Sequence, residues 1–236
     1  MKRMSVRNAL WLSIGFIVLS WTFAFIVSIY YQDRLEDFIT NSTYQFVIFT
    51  FVYGAFSILA ISFLLYLAQE KYQDIGFHKQ GIFKQIGVGF AFGLLIFVFS
   101  SVVLSPIIHA LIPKSAHQGI ETTNIFTNMN YLPLWIFMGM FFGGFLEELA
   151  RMFVLTRFER CFGRGGLILA LVMGSVVFGI QHLYQGFGSM ISIGIVGFLY
   201  ALVYLRNRLA LEPIIAHATF NTVGLIIGAI MYTGTG

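Results

Sequence analysis

Residues 133–162 read PLWIFMGMFFGGFLEELARMFVLTRFERCF. From Leu134 to Leu146 there is no charge at all, and then Glu147, Glu148 and Arg151 follow within five positions. Nothing breaks a helix between Pro133 and the Gly163-Arg164-Gly165 turn, and proline is tolerated in a first helical turn. At 1.5 Å per residue this helix would be about 44 Å long, more than the roughly 30 Å hydrocarbon core of a bilayer. A stretch this apolar, ending in paired carboxylates and an arginine, reads as a membrane helix with functional groups near one end.

The rest of the chain agrees. Of its 236 residues 58% are hydrophobic and only 10% charged, whereas soluble domains carry about 25% charged residues. Too few charges remain to cover a soluble surface, which excludes a soluble enzyme, a disordered tail and a disulfide scaffold. The single cysteine, Cys161, allows no internal disulfide. The apolar runs are long and continuous rather than alternating, which excludes a β-barrel. The expected class is therefore an all-α polytopic membrane protein. The net charge of +4 is scattered over short loops, with no basic face for nucleic acid.

Seven spanning helices are expected, each of roughly 17–25 residues or slightly more. They run over Ala9–Tyr31, Tyr44–Ala68, Ile86–Ile112, Pro133–Arg157, Gly166–Gln185, Gly188–Leu205 and Pro213–Tyr232. The first is too long for a signal peptide and reads as a retained span. Lys2, Arg3, Arg7, Lys71, Lys79, Lys84, Arg157, Arg160, Arg164, Arg206 and Arg208 fall on one side of this topology, against Arg34 and Lys114 on the other. The positive-inside rule then places the N-terminus in the cytoplasm and the C-terminus outside. No linker or internal repeat divides the chain, so residues 1–236 read as one membrane domain. Tyr72 to Gln85 mixes Ile75, Phe77, Ile82 and Phe83 with charges, and reads equally as an amphipathic interfacial piece or an ordinary loop.

Ionisable groups inside a bilayer cost about 2.5–3.5 kcal/mol each on insertion scales, so they point to function. Here they are Glu147, Glu148 and Arg151 on the fourth helix, His182 on the fifth, and His217 with Asn221 on the seventh. His109 is the other intramembrane candidate and is assigned no role, nor are His78 and His117 in the loops. Each feature alone also has a structural reading: Arg151 shares a helix face with both glutamates, and a lone histidine can bond a carbonyl. Together they occupy three otherwise apolar helices. Glu147 and His182 each lie about 17–18 residues from the Gly163–Gly165 turn, so a four–five hairpin brings both to one level about 26 Å from its tip. His217 and Asn221, four apart, share a face of the seventh helix. Their levels match if the hairpin protrudes into the cytoplasm, which places the cluster in the cytoplasmic half of the membrane.

The order Glu147-Glu148…Arg151, then Phe178-Gly-Ile-Gln-His182, then His217-Ala-Thr-Phe-Asn221 resembles the CAAX protease and bacteriocin-processing enzyme family, also called the Abi family, of intramembrane glutamic endopeptidases. Its signature is a Glu-Glu pair with a following Arg, then Phe-x-x-x-His, then His-x-x-x-Asn or Asp. The resemblance covers a core of about residues 133–232, whereas the first three helices match only in general character. His182-Leu-Tyr184-Gln185-Gly186 looks like the continuation seen in many bacterial members. One departure is present: the family's Arg falls five residues after the first Glu, where this chain has Met152, and Arg151 comes four after Glu147 and three after Glu148.

By this resemblance Glu147 and His182 would bind and activate water, and Glu148 would pair with Arg151. His217 and Asn221 would bond the developing oxyanion, and Phe178 would support the site. Hydrolysis of a peptide bond needs both an activated water and oxyanion donors. No cofactor is expected, although two histidines and a glutamate also suit zinc; the His-Glu-x-x-His pattern is absent. A serine mechanism lacks a Gly-x-Ser-x-Gly turn, and Ser175 and Ser192 read as packing residues. The implied partners are a peptide or membrane-protein substrate and the lipid bilayer. Bacterial members imply peptide or bacteriocin processing or self-immunity in a bacterial plasma membrane. A non-catalytic membrane regulator or immunity protein of the same fold is the alternative, and a small transporter a third reading.

Overall fold

The computed structural model describes residues 5–30, 43–112 and 129–234. Lys2, Arg3, Arg34, Lys114 and His117 lie outside the described residues, so the outer half of the charge pattern does too. Among the described residues every element is helical. The helices are α1 (Val6–Tyr30), α2 (Thr43–Leu67), α3 (Ile82–Phe99), α4 (Ser105–Leu111), α5 (Leu132–Met138), α6 (Glu148–Ile180), α7 (Phe187–Asn207) and α8 (Leu211–Gly234). A π-helical segment, Ser100–Leu104, joins α3 to α4. It ends just before Ser105-Pro106, where the proline has no N–H for the ladder and its ring crowds the preceding turn. A second π-helical segment, Gly139–Glu147, joins α5 to α6.

Among the described residues six helices are long and apolar enough to cross a membrane, against the seven expected. The difference lies in Met129–Ile180, where the expected fourth and fifth helices form one continuous element, broken at Gly163 (φ 65°, ψ −151°). The positive φ suits glycine, which has no Cβ to clash. The guanidinium carbon of Arg151 lies 4.4 Å from the centre of the Phe178 ring. On an unbroken helix those residues would be about 40 Å apart, so α6 folds back on itself at Gly163, as the hairpin reading expects.

Close helix packing depends on missing side chains. A Cβ at Gly89 would lie 2.6 Å from the Glu212 carbonyl, and one at Gly93 2.6 Å from that of Ala216, so α3 lies against the backbone of α8. A Cβ at Gly179 would lie 2.5 Å from the Met190 carbonyl, which brings α6 equally near α7. One buried cluster includes Ile14, Leu65, Leu149 and Phe153, and a second Ile96, Val196, Tyr200 and Ala216. Outward, large apolar side chains such as Leu19, Phe23, Leu59 and Phe83 are exposed, as lipid contact requires.

The part before α3 is a loop packed against the bundle, the second of the two readings of residues 72–85. It makes one 3₁₀ turn, Tyr72–Ile75, buries Ile75 completely, and accepts the Ala210 N–H at the Gly76 carbonyl (2.9 Å). The buried Gln85 amide donates to the carbonyls of His78 and Gln80, so α3 starts at Ile82, four residues early. Arg157, expected at a loop end, is fully buried within α6. It grips Glu70 with both terminal nitrogens (one contact at 2.9 Å), and Arg160 adds a second cation to the same carboxylate. The partner at position 70 lies 87 residues earlier in the chain, beyond the reach of any local pattern.

Candidate active site

The site is built where the second π segment meets α6. Glu147 is the last residue of the wide turn and Glu148 the first of the α-helix. The two adjacent carboxylates are in opposite situations. Glu148 is completely buried; it accepts from Arg151, one turn on, and from His217 Nδ1 at 2.8 Å. The Arg151 found one position early therefore still reaches its carboxylate, through the i,i+3 relation to Glu148. Glu147 keeps 20% of its side chain exposed, and its ion-pair partner is His217 Nε2 at 3.7 Å. His217, from α8, thus stands between the two glutamates.

Asn221 follows one turn along α8. Its Nδ2 donates to the carbonyl of Gly139 at 3.0 Å, which gives the first residue of the π segment a partner outside the helical ladder. The approach is possible because the facing residues lack side chains. A Cβ on Gly143 would sit 2.3 Å from Asn221 Nδ2 and 3.4 Å from His217 Nε2, and one on Gly144 would sit 2.8 Å from Ala218 Cβ. Wide π turns recur at functional sites, and this one places Glu147 beside α8.

His182 lies just past the end of α6, which stops at Ile180 and not at Gln185 as expected. A turn, a short 3₁₀ piece (Leu183–Gln185) and Gly186 at φ 95° follow. His182 Nδ1 donates to the Phe178 carbonyl at 2.8 Å, which leaves Nε2 of the neutral ring as an acceptor. Its ring meets Phe178 edge-on at 4.9 Å and stacks with Tyr184 at 6.1 Å. Phe178 is the joint of the site: it also carries Arg151 on its face and meets His217 edge-on at 6.1 Å.

All seven residues singled out from the sequence are thus brought into one neighbourhood, with Glu147 next to His217 and His182 joined to the cluster through Phe178. Gly139, Gly143 and Tyr200 also belong to it and were not singled out; the Gly143-Gly144 pair before the glutamates was the available signal. Ser175 bonds its own helix at Leu171, consistent with packing. His109 bonds the Ser105 carbonyl on α4, outside the cluster. Among the described residues no group of three or more His, Cys, Asp or Glu is arranged to hold a metal ion.

Apolar membrane helices around a buried Glu–Arg–His cluster define the class: a multi-pass membrane protein with ionisable side chains gathered inside the helix bundle. Residues 129–223 match the family model described as Rce1-like, type II CAAX prenyl endopeptidase Rce1-like. This segment holds every motif residue from Glu147 to Asn221, and its likeness to that family supports a CAAX-type intramembrane protease at a coarse level. No significant match was found among curated proteins or among solved structures.

Proposed function

We propose that the protein is a glutamic-type intramembrane endopeptidase in which Glu147 is the working carboxylate. The observation that carries this is the contrast between the neighbouring glutamates. Glu148 is fully buried and neutralised by Arg151 and His217, whereas Glu147 has an exposed edge and no hydrogen bond from a cation. A general base must reach water, and Glu147 can.

In this reading Glu147 takes a proton from a water whose oxygen attacks the substrate carbonyl carbon. The C–N bond then breaks, and the same proton goes to the departing amine. His182 Nε2, with Nδ1 fixed on the Phe178 carbonyl, is free to orient that water. Asn221 uses one Nδ2 hydrogen on Gly139 and keeps the second for the oxyanion. His217 Nδ1 is committed to Glu148, so His217 donates from Nε2 only as the imidazolium. One such donor is worth about 2.7–4 kcal/mol in a low-dielectric site.

No cofactor enters this reading. Arg151 occupies the cationic place beside Glu148 where a metal ion would compete, so a zinc chelator should leave cleavage unchanged. The expected partners are a peptide or membrane-protein substrate and the bilayer. Bacteriocin or signalling-peptide processing, or self-immunity, in a bacterial plasma membrane is the proposed role, with the N-terminus cytoplasmic and cleavage near that face.

The test compares neo-N-termini and neo-C-termini of membrane and secreted peptides in cells carrying wild type, Glu147→Gln or His182→Ala at equal expression. Termini present with wild type alone support the protease and name its substrate. Identical termini, with the knockout phenotype rescued by both variants, overturn it in favour of a non-catalytic regulator.

A further inference from the structure

One aromatic residue of the cluster comes from a helix that supplies none of the motif residues. Tyr200, on α7, is completely buried, and its ring lies nearly parallel to that of His217, 4.4 Å between centres and 20° between planes. Phe220 meets the Tyr200 ring edge-on at 6.3 Å. The Arg151 guanidinium carbon is 5.8 Å from the centre of the same ring, while Phe178 lies on Arg151 at 4.4 Å. Tyr200 and Phe178 thus both contact Arg151 and His217, the two groups that neutralise Glu148. The Tyr200 hydroxyl makes no hydrogen bond among the described residues, so its contacts are made by the ring.

Among the described residues His217 has one hydrogen bond, Nδ1 to Glu148, and a single hydrogen bond tolerates a range of rotation of the ring about Cβ–Cγ. The direction of Nε2 relative to Glu147 depends on that rotation. A flat stack against the ring face removes it, because turning the imidazole out of plane would drive its edge into Tyr200.

We propose that Tyr200 is a positioning residue of this site, its ring fixing the plane of His217 so that Nε2 faces Glu147. The inference rests on the protease reading for its effect on rate, but not for its effect on His217. A residue that acts through orientation alters the chemical step more than substrate binding.

The experiment uses the full chain in lipid nanodiscs with labelled histidine, the His217 ring signals being assigned by their loss in His217→Asn. Wild type, Tyr200→Phe, Tyr200→Leu and Tyr200→Met are compared. The Cδ2–H and Cε1–H order parameters of the His217 ring, which a lost ring current does not alter, should be those of a fixed ring in the wild type. Tyr200→Leu and Tyr200→Met should lower them, and Tyr200→Phe should keep the wild-type values. On the peptide identified by the terminus comparison, the Leu and Met variants should lose about 10–100-fold in kcat with KM little changed, and Phe should recover most of the rate. Melting temperatures establish that each variant is folded; Met fills the space if Leu does not fold. Unchanged His217 ring order parameters in the folded Leu or Met variant overturn the proposal. A Phe variant as slow as Leu also overturns it, and assigns the work to the hydroxyl. If wild type cleaves nothing, the protease reading fails, and the ring order parameters alone decide whether Tyr200 sets His217.

Discussion

Glu148 and Glu70 are both buried carboxylates held by arginines of α6, and they do opposite things. Glu70 receives two arginines, Arg157 and Arg160, and has no histidine or second glutamate beside it. It joins the end of α2 to α6, and because Arg160 also reaches Asp74 at 3.8 Å the two cations face two carboxylates. Glu148 receives one arginine and one histidine, and that histidine also faces a second, partly exposed carboxylate. The clamp is electrostatically closed. The site has Glu147 left over. A buried ion pair alone therefore does not identify an active site; a reachable, unneutralised group attached to one does.

The sharpest way to break this comparison is Glu147→Gln, which keeps size and removes the base. Cleavage should fall about 10²–10⁴-fold with little change in melting temperature. Loss of fold on this substitution would make Glu147 structural, like Glu70. The converse substitution is Glu70→Gln. It leaves the buried Arg157 without a carboxylate, while Arg160 keeps Asp74, and should destabilise by about 3–5 kcal/mol; the molecules that stay folded keep their activity. Arg157→Met should cost less than Glu70→Gln, because Arg160 still neutralises Glu70. Thermal unfolding in detergent with activity per folded molecule reads both, and a folded but inactive Glu70→Gln protein would merge the two regions into one device.

The next effect is smaller and geometric. Gly143→Ala introduces a carbon 2.3 Å from Asn221 Nδ2, so the amide has to move. A displaced oxyanion donor should reduce kcat by about 10–100-fold with the fold retained. Activity at the wild-type level would show that Asn221 does not act through its present position.

Which of these features the sequence displays follows from their physics. Spanning helices are legible because a bilayer demands about 20 apolar residues per crossing. Glu147, His182 and His217 stand out because charge inside such helices is expensive. The π segment Gly139–Glu147 left no such mark: Leu134–Leu146 is apolar on every face, so a change of helical period alters no pattern. Tyr200 is one aromatic among many in an apolar helix, and only its contact with His217 distinguishes it. Arg157 was legible as a charge, but its role needed a partner at position 70. The hairpin was legible from Gly163-Arg164-Gly165, whereas the end of α6 at Ile180, two residues short of His182, was not, since no proline lies there and Gly186 comes six residues later.

The smallest expected effect closes the comparison from the exposed side. Arg208 and Glu159 form an ion pair at 2.9 Å, the glutamate again on α6, two residues beyond Arg157. Both side chains are more than a third exposed, at 38% and 37%. Water and salt screen such a pair, and holding two long side chains costs entropy, so Glu159→Gln should change stability by about 0–1 kcal/mol. Cleavage should be unaffected, since Glu159 touches none of the site residues. Within three turns, then, α6 carries the Glu148–Arg151 pair of the candidate site, a structural clamp and a surface pair, and their consequences should fall in order of burial and of what remains unneutralised. A loss from Glu159→Gln as large as that from Glu70→Gln would show that charge on this helix matters regardless of burial, and the ranking would have to be abandoned.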